Sequence, residues 1–168
     1  NTDGTTCTTG NVLAVDGQAA STVNPGATGT LTFEADLAHA GSTGLKVTQS
    51  SDTNQIRLLF PAASATGAVS FYHTGPSIAA GTRDIINLRH ASGQLLRLAI
   101  NASGRLLSRT GTGTSIAQTA TGVWVANRQN RIEFIFNVGN AGATDTYTAS
   151  IFDGDSTTAL ATLTSSAV

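Results

Sequence analysis

The feature that most limits what this chain can fold into is a period-two alternation of apolar and polar residues, repeated at short spacing and cut each time by a turn cluster. In Arg131-Ile132-Glu133-Phe134-Ile135-Phe136-Asn137, Ile132, Phe134 and Phe136 fall on one side, while Arg131, Glu133 and Asn137 fall on the other. Successive side chains of a strand point to opposite faces, so the segment reads as a half-buried strand. Leu31, Phe33 and Ala35 alternate in the same way with Thr30, Thr32 and Glu34, and Leu96, Leu98 and Ile100 with Leu95, Arg97 and Ala99. The pattern recurs over residues 55–60, 68–73, 83–90, 105–108 and 146–152, with weaker versions at 12–15, 45–49, 115–119 and 160–163.

Asn24-Pro25-Gly26, Gly41-Ser42-Thr43-Gly44, Ala91-Ser92-Gly93, Asn101-Ala102-Ser103-Gly104 and Gly139-Asn140-Ala141-Gly142 separate these segments, and each can supply a tight turn. No stretch carries a sustained apolar stripe at helical spacing, so the crossover helices of a parallel α/β sheet are missing. The expectation is an all-β domain of two antiparallel sheets packed face to face, a sandwich or jelly roll. Ile132, Phe134, Phe136, Leu96, Leu98 and Ile151 should form its core, with Phe33, Phe71 and Tyr147 also directed inward. A length of 168 residues suits one domain, expected over 11–168, with a Thr-rich peripheral segment at 1–10.

Composition agrees with strands. Thr (27), Ala (25) and Gly (18) fill much of the chain, and charged residues make up only 11%. A formal charge of −1, with the basic residues scattered, leaves no block to neutralise a phosphate backbone, which argues against nucleic acid as a partner. No apolar run approaches membrane-spanning length and no signal-peptide pattern opens the chain, so neither membrane association nor an uncleaved leader is expected. Because there is no Met, the chain beginning at Asn1 is expected to be trimmed, matured or part of something longer. The single Cys7 excludes an internal disulfide and reads as a bystander.

From residue 83 onward the order of features is distinctive. A strand at Asp84-Ile85-Ile86-Asn87-Leu88-Arg89 is followed by Gln94-Leu95-Leu96-Arg97-Leu98-Ala99-Ile100 and the turn Asn101-Ala102-Ser103-Gly104. Thr121-Gly122-Val123-Trp124, the 131–134 strand and Tyr147-Thr148-Ala149-Ser150-Ile151-Phe152-Asp153-Gly154 come next. This order resembles the concanavalin A-like (laminin G-like) jelly roll, whose repeats run strand, strand, Gly turn, strand, G-x-W, strand. The opening, Asp3-Gly4-Thr5-Thr6-Cys7-Thr8-Thr9-Gly10-Asn11, and the later Ala38-His39-Ala40-Gly41-Ser42-Thr43-Gly44-Leu45-Lys46-Val47 resemble a version of that module found in virion proteins of phages that infect actinobacteria. The resemblance covers nearly the whole chain. It implies a non-enzymatic structural or accessory protein on the virion exterior, a capsid decoration or tail-surface module. Its partners would be other copies of itself and virion proteins, with cell-surface glycan as a further ligand. The alternative is a carbohydrate-binding module of a secreted bacterial enzyme.

The same fold group includes glucanases, which flank the scissile bond with two carboxylates on alternate strand positions. Glu34-Ala35-Asp36-Leu37-Ala38-His39 is the nearest match, with Glu34 and Asp36 expected on one face. The further Glu of the glucanase pattern is missing and His39 lies near its place, so no catalytic residue is expected. His39, His73 and His90 lack metal-ligand spacing. Asp153-Gly154-Asp155, with Asp3 or Asp16, carries oxygens that suit calcium, but Asp and Gly are also what a surface hairpin uses; no metal and no cofactor are expected. A lectin-type site stacks an exposed aromatic on a sugar ring, and alternation leaves Tyr72 and Trp124 as carbohydrate-binding candidates, with Phe152 as a further outward aromatic.

Overall fold

In a computed structural model, the residues described are 4–9, 22–24, 29–37, 44–48, 55–57, 66–90, 93–137 and 146–166. They contain no α-helix, and every strand pairing among them is antiparallel. The fold is therefore all-β, as the alternation requires. The chain divides into two compact units, Asn1–Ala62 and Ala63–Val168.

Among the described residues, the first unit holds two strand pairs. β1 (Thr22–Asn24) pairs with β4 (Gln55–Arg57), and β2 (Thr30–Glu34) with β3 (Gly44–Thr48). Residues 4–7 lie along β2: Gly4 N–H donates to Phe33 O at 2.7 Å, Phe33 N–H to Thr5 O at 2.9 Å, and Cys7 N–H to Leu31 O at 2.8 Å. Leu31, Phe33 and Cys7 form a small buried cluster. Cys7 packs there as a small apolar side chain, and burial pushes its thiol pKa up, away from the reactive thiolate. The weak candidate at 12–15 lies outside the described residues.

Among the described residues, the second unit contains two four-stranded sheets. One has the order β12 (Ala159–Ser166), β11 (Thr146–Asp153), β10 (Asn130–Asn137), β5 (Thr66–His73). The other has β6 (Thr82–His90), β7 (Gly93–Asn101), β8 (Leu106–Thr110) and β9 (Ser115–Gln118) in sequence order. The inner faces share one core: Leu96, Leu98 and Ile100 of β7 and Leu106 of β8 join Ile132, Phe134 and Phe136 of β10, Tyr147, Ala149 and Ile151 of β11 and Leu163 of β12. All six residues expected in the core are at most 4% exposed. Phe33 and Tyr147 are buried as well, and Phe71 is partly buried against the core.

Two glycines shape this unit by what they leave out. A Cβ on Gly67 would collide with the ring of Phe136, its cross-strand partner on β10, so the missing side chain is the space the aromatic occupies. Gly104 has a φ of +66°, and a Cβ there would stand 2.5 Å from Trp124 O, in the turn where Trp124 N–H donates to Gly104 O.

Candidate functional site

Strand parity separates the residues around the end of β5. Phe71 and His73 point inward, while Ala68, Ser70 and Tyr72 point outward. Register then assembles the outer face: Tyr72 lies beside Arg131, which lies beside Phe152. The guanidinium carbon of Arg131 stands 4.2 Å from the centre of the Phe152 ring, and its Nη2 donates to Ser156 O at 3.0 Å. Its Nε is 3.2 Å from Glu133 Oε1. Tyr72 Oη donates to Asp155 Oδ1 at 2.6 Å. That bond holds the phenol above the ordinary tyrosine range, because a tyrosinate would face a carboxylate; Arg131 acts in the opposite direction.

These contacts fix Tyr72 as a half-buried ring at the sheet margin, held from its hydroxyl end by the β11–β12 turn. The same turn is braced by Arg128, whose Nη2 is 2.7 Å from Asp153 Oδ2, and by Gly154 N–H donating to Gln129 O at 3.0 Å. Asp153 and Asp155 therefore face a guanidinium and a phenol. Among the described residues, no three of His, Cys, Asp and Glu are grouped to hold a metal ion.

Trp124 takes a different position from the one a stacking platform needs. It is 5% exposed and belongs to the core cluster. Its indole N–H donates to His73 Nδ1 at 3.2 Å, and the two rings are tilted at 54° with centres 5.9 Å apart. Of the two aromatics expected to offer a carbohydrate platform, Trp124 is thus buried and Tyr72 keeps surface on the outer face. Phe152 does point outward, yet it is 7% exposed because Arg131 covers it.

Accepting the indole proton at Nδ1 requires His73 to be neutral with its own proton on Nε2. Burial lowers its pKa below the usual histidine value, and the positive charge of Arg83 adds to the shift. The surrounding loop is organised by Asn130, which is 0% exposed. Its amide nitrogen donates to Val125 O at 3.0 Å and Arg128 O at 2.8 Å, and its amide oxygen accepts from Val125 N–H at 3.3 Å. Asn127, with a φ of +57°, donates its N–H to Gly75 O at 2.8 Å and so ties this loop to the segment after β5.

The acidic pair in the first unit does not keep the geometry expected of it. β2 stops at Glu34, and Ala35–Leu37 form a 3₁₀ turn that takes Asp36 off the strand. Glu34 and Asp36 therefore do not occupy alternate positions of one strand face. Glu34 Oε1 accepts from Thr32 Oγ1 at 2.9 Å and lies 3.7 Å from Lys46 Nζ. His39 lies outside the described residues.

Parity and turn chemistry could have pointed to the Arg131–Phe152 stack and the Tyr72–Asp155 bond, since both join outward positions to the Asp153-Gly154-Asp155 turn. Asn130 gave no signal, because a polar residue at a strand start is ordinary. The class these features define is an antiparallel β-sandwich unit with a polar-aromatic cluster at one margin of its outer face. Comparison with known protein families, with curated proteins and with solved structures finds no match for this chain.

Proposed function

We propose that this chain is a non-enzymatic structural or accessory module of a phage virion, displayed on the particle exterior as a capsid decoration or a tail-surface element. In this reading its sandwich is a jelly roll of the concanavalin A-like type. That part is supported by the return of β10 to the side of β5 after four strands have been laid in the opposite sheet. The observation that carries the functional reading is the outer face of the β12-β11-β10-β5 sheet. Its outward positions are mostly Thr, Ser and Ala, and Ile135 stands 56% exposed among them. Solitary β proteins usually protect such faces with charge, whereas proteins that pack against copies of themselves do not need to. The phage assignment rests on the resemblance of the 3–11 and 38–47 segments. Detection of the chain in purified particles, at a copy number that is a multiple of three, five or six, tests it. A chain recovered only as a secreted monomer, with none in a particle fraction, refutes it.

The Tyr72 cluster favours a second reading, a carbohydrate-binding module of a secreted bacterial enzyme. A ring fixed by Asp155 and flanked by Arg131 offers an apolar surface beside polar groups, the combination a sugar ring uses. Glycan-array binding that is lost in Tyr72→Ala, with the melting curve unchanged, supports this reading; equal binding by both proteins excludes Tyr72 as its site.

A further inference from the structure

We infer that the outer face centred on Ile135 is the surface through which two copies of this chain meet, an inference that rests on the assembly reading and names the face it uses. Register places Ile135 in a row with Ala68, Thr148 and Thr164, one residue from each of the four strands. The row on one side contains Asn137, Thr66 and Thr146; the row on the other contains Glu133, Ser70, Ser150 and Thr162. In these rows the side chains of β5, β11 and β12 are short, so the face is flat on both sides of β10 and suits the roughly 10 Å approach of packed sheets.

Charge is compatible with a second copy as the occupant and favours one orientation of it. These three rows and the Tyr72–Arg131–Phe152 row beyond Glu133 hold one cation and one anion, Arg131 and Glu133, 3.2 Å apart, so the face is neutral and does not repel its own copy. A twofold axis running across the strands at Ile135 sets Ile135 of one copy over Ile135 of the other. The same rotation brings each Glu133 row over the Asn137 row of the second copy, where an amide can donate to it, and leaves Arg131 at the rim. No like charges face each other, as a self-complementary contact requires.

The overlapping patch is about 19 Å across four strands and about 20 Å along them, roughly 400 Å² on each copy. Roughly 800 Å² in total is below a standard interface, so two isolated copies associate weakly. A symmetric array strengthens the contact by holding many copies at high effective concentration.

Amide NMR spectra of the full chain, recorded from about 10 μM to about 1 mM, test the inference, since half-saturation at the upper limit corresponds to a millimolar Kd. The expected result is concentration-dependent shifts confined to Ala68, Ile135, Thr148 and their row neighbours. Ile135→Arg should weaken the self-association at least tenfold while leaving the circular dichroism and melting temperature unchanged. Thr148→Arg provides a second test at a neighbouring position in the same row. Shifts that map to another surface, or that persist unchanged in both folded variants, overturn this face while leaving self-assembly standing. Spectra independent of concentration throughout the range overturn the pairing of copies through it, and the particle experiment then decides the virion reading separately.

Discussion

The indole N–H of Trp124 donates to Nδ1 of His73 across 3.2 Å, joining the sole tryptophan of the chain to a partly buried histidine. The bond exists only while Nδ1 is unprotonated, so the packing of the loop after Gly122 is linked to pH. In the folded protein His73 has a lowered pKa, so the unfolded chain binds a proton first as pH falls. Stability should be full above about pH 6.5, the ordinary histidine value, and decline from there toward the lower folded pKa. The loss amounts to about 1.4 kcal/mol for each pKa unit between the two states. Urea unfolding followed by Trp124 fluorescence at pH 8 and pH 5 measures it. His73→Asn, which keeps an acceptor without a titrating ring, should flatten the dependence; an unchanged slope would exclude His73 as its source.

Phe134→Ala should cost about 3–5 kcal/mol, the usual range for deleting a buried aromatic. Phe134 is 1% exposed between Phe136 and Tyr147, with ring centres at 5.8 and 6.0 Å. Chemical denaturation gives the number directly, and a loss under about 1 kcal/mol would contradict the inward face of β10.

Asn130→Ala removes both donors and the acceptor that hold the 125–128 backbone and should cost about 1–3 kcal/mol for each buried group left unpaired. Asn130→Asp retains the acceptor toward Val125 N–H but presents a carboxylate to Val125 O and Arg128 O, so it should not rescue the loss. Melting temperatures of the two variants against the parent check both statements.

Incubation with β-glucans, arabinogalactan and peptidoglycan fragments should release no reducing sugar. Glu34 is engaged by Thr32 and Lys46, and Asp36 has left the strand on which a glucanase would need it. Turnover that disappears in Glu34→Gln would establish the enzymatic alternative.

Alternation identified the inward faces because it is a local property: Ile132, Phe134 and Phe136 declare their side within seven residues, whichever strand lies next to them. It could not identify neighbours. The pairing of Tyr72 with Arg131 depends on strands about sixty positions apart and can be read only once register is known. Phe152 was legible as outward but not as buried, because its cover comes from a charged residue whose guanidinium stands over the ring. Asn101-Ala102-Ser103-Gly104, which packs against Trp124, was legible as a turn, whereas the histidine that meets the indole lies 51 positions away. The acidic pair was misplaced for a local reason: alternation continued through Ala35 while the backbone turned into a 3₁₀ helix.

The pairing of β5 with β10 also sets an order of events. The strands β6 to β9 form a meander of neighbours and can assemble as soon as they leave the ribosome. β5 precedes them, yet its sheet partner is made after them, so closing that pair requires a loop spanning the entire meander. Until β10 emerges, the apolar sides of Leu96, Leu98 and Ile100 lack the sheet that covers them. Contacts this far apart in sequence slow folding and prolong the exposure of sticky intermediates. A nascent chain stalled between β9 and β10 is thus the form most prone to clump, and synthesis past Asn137 is the step that relieves it.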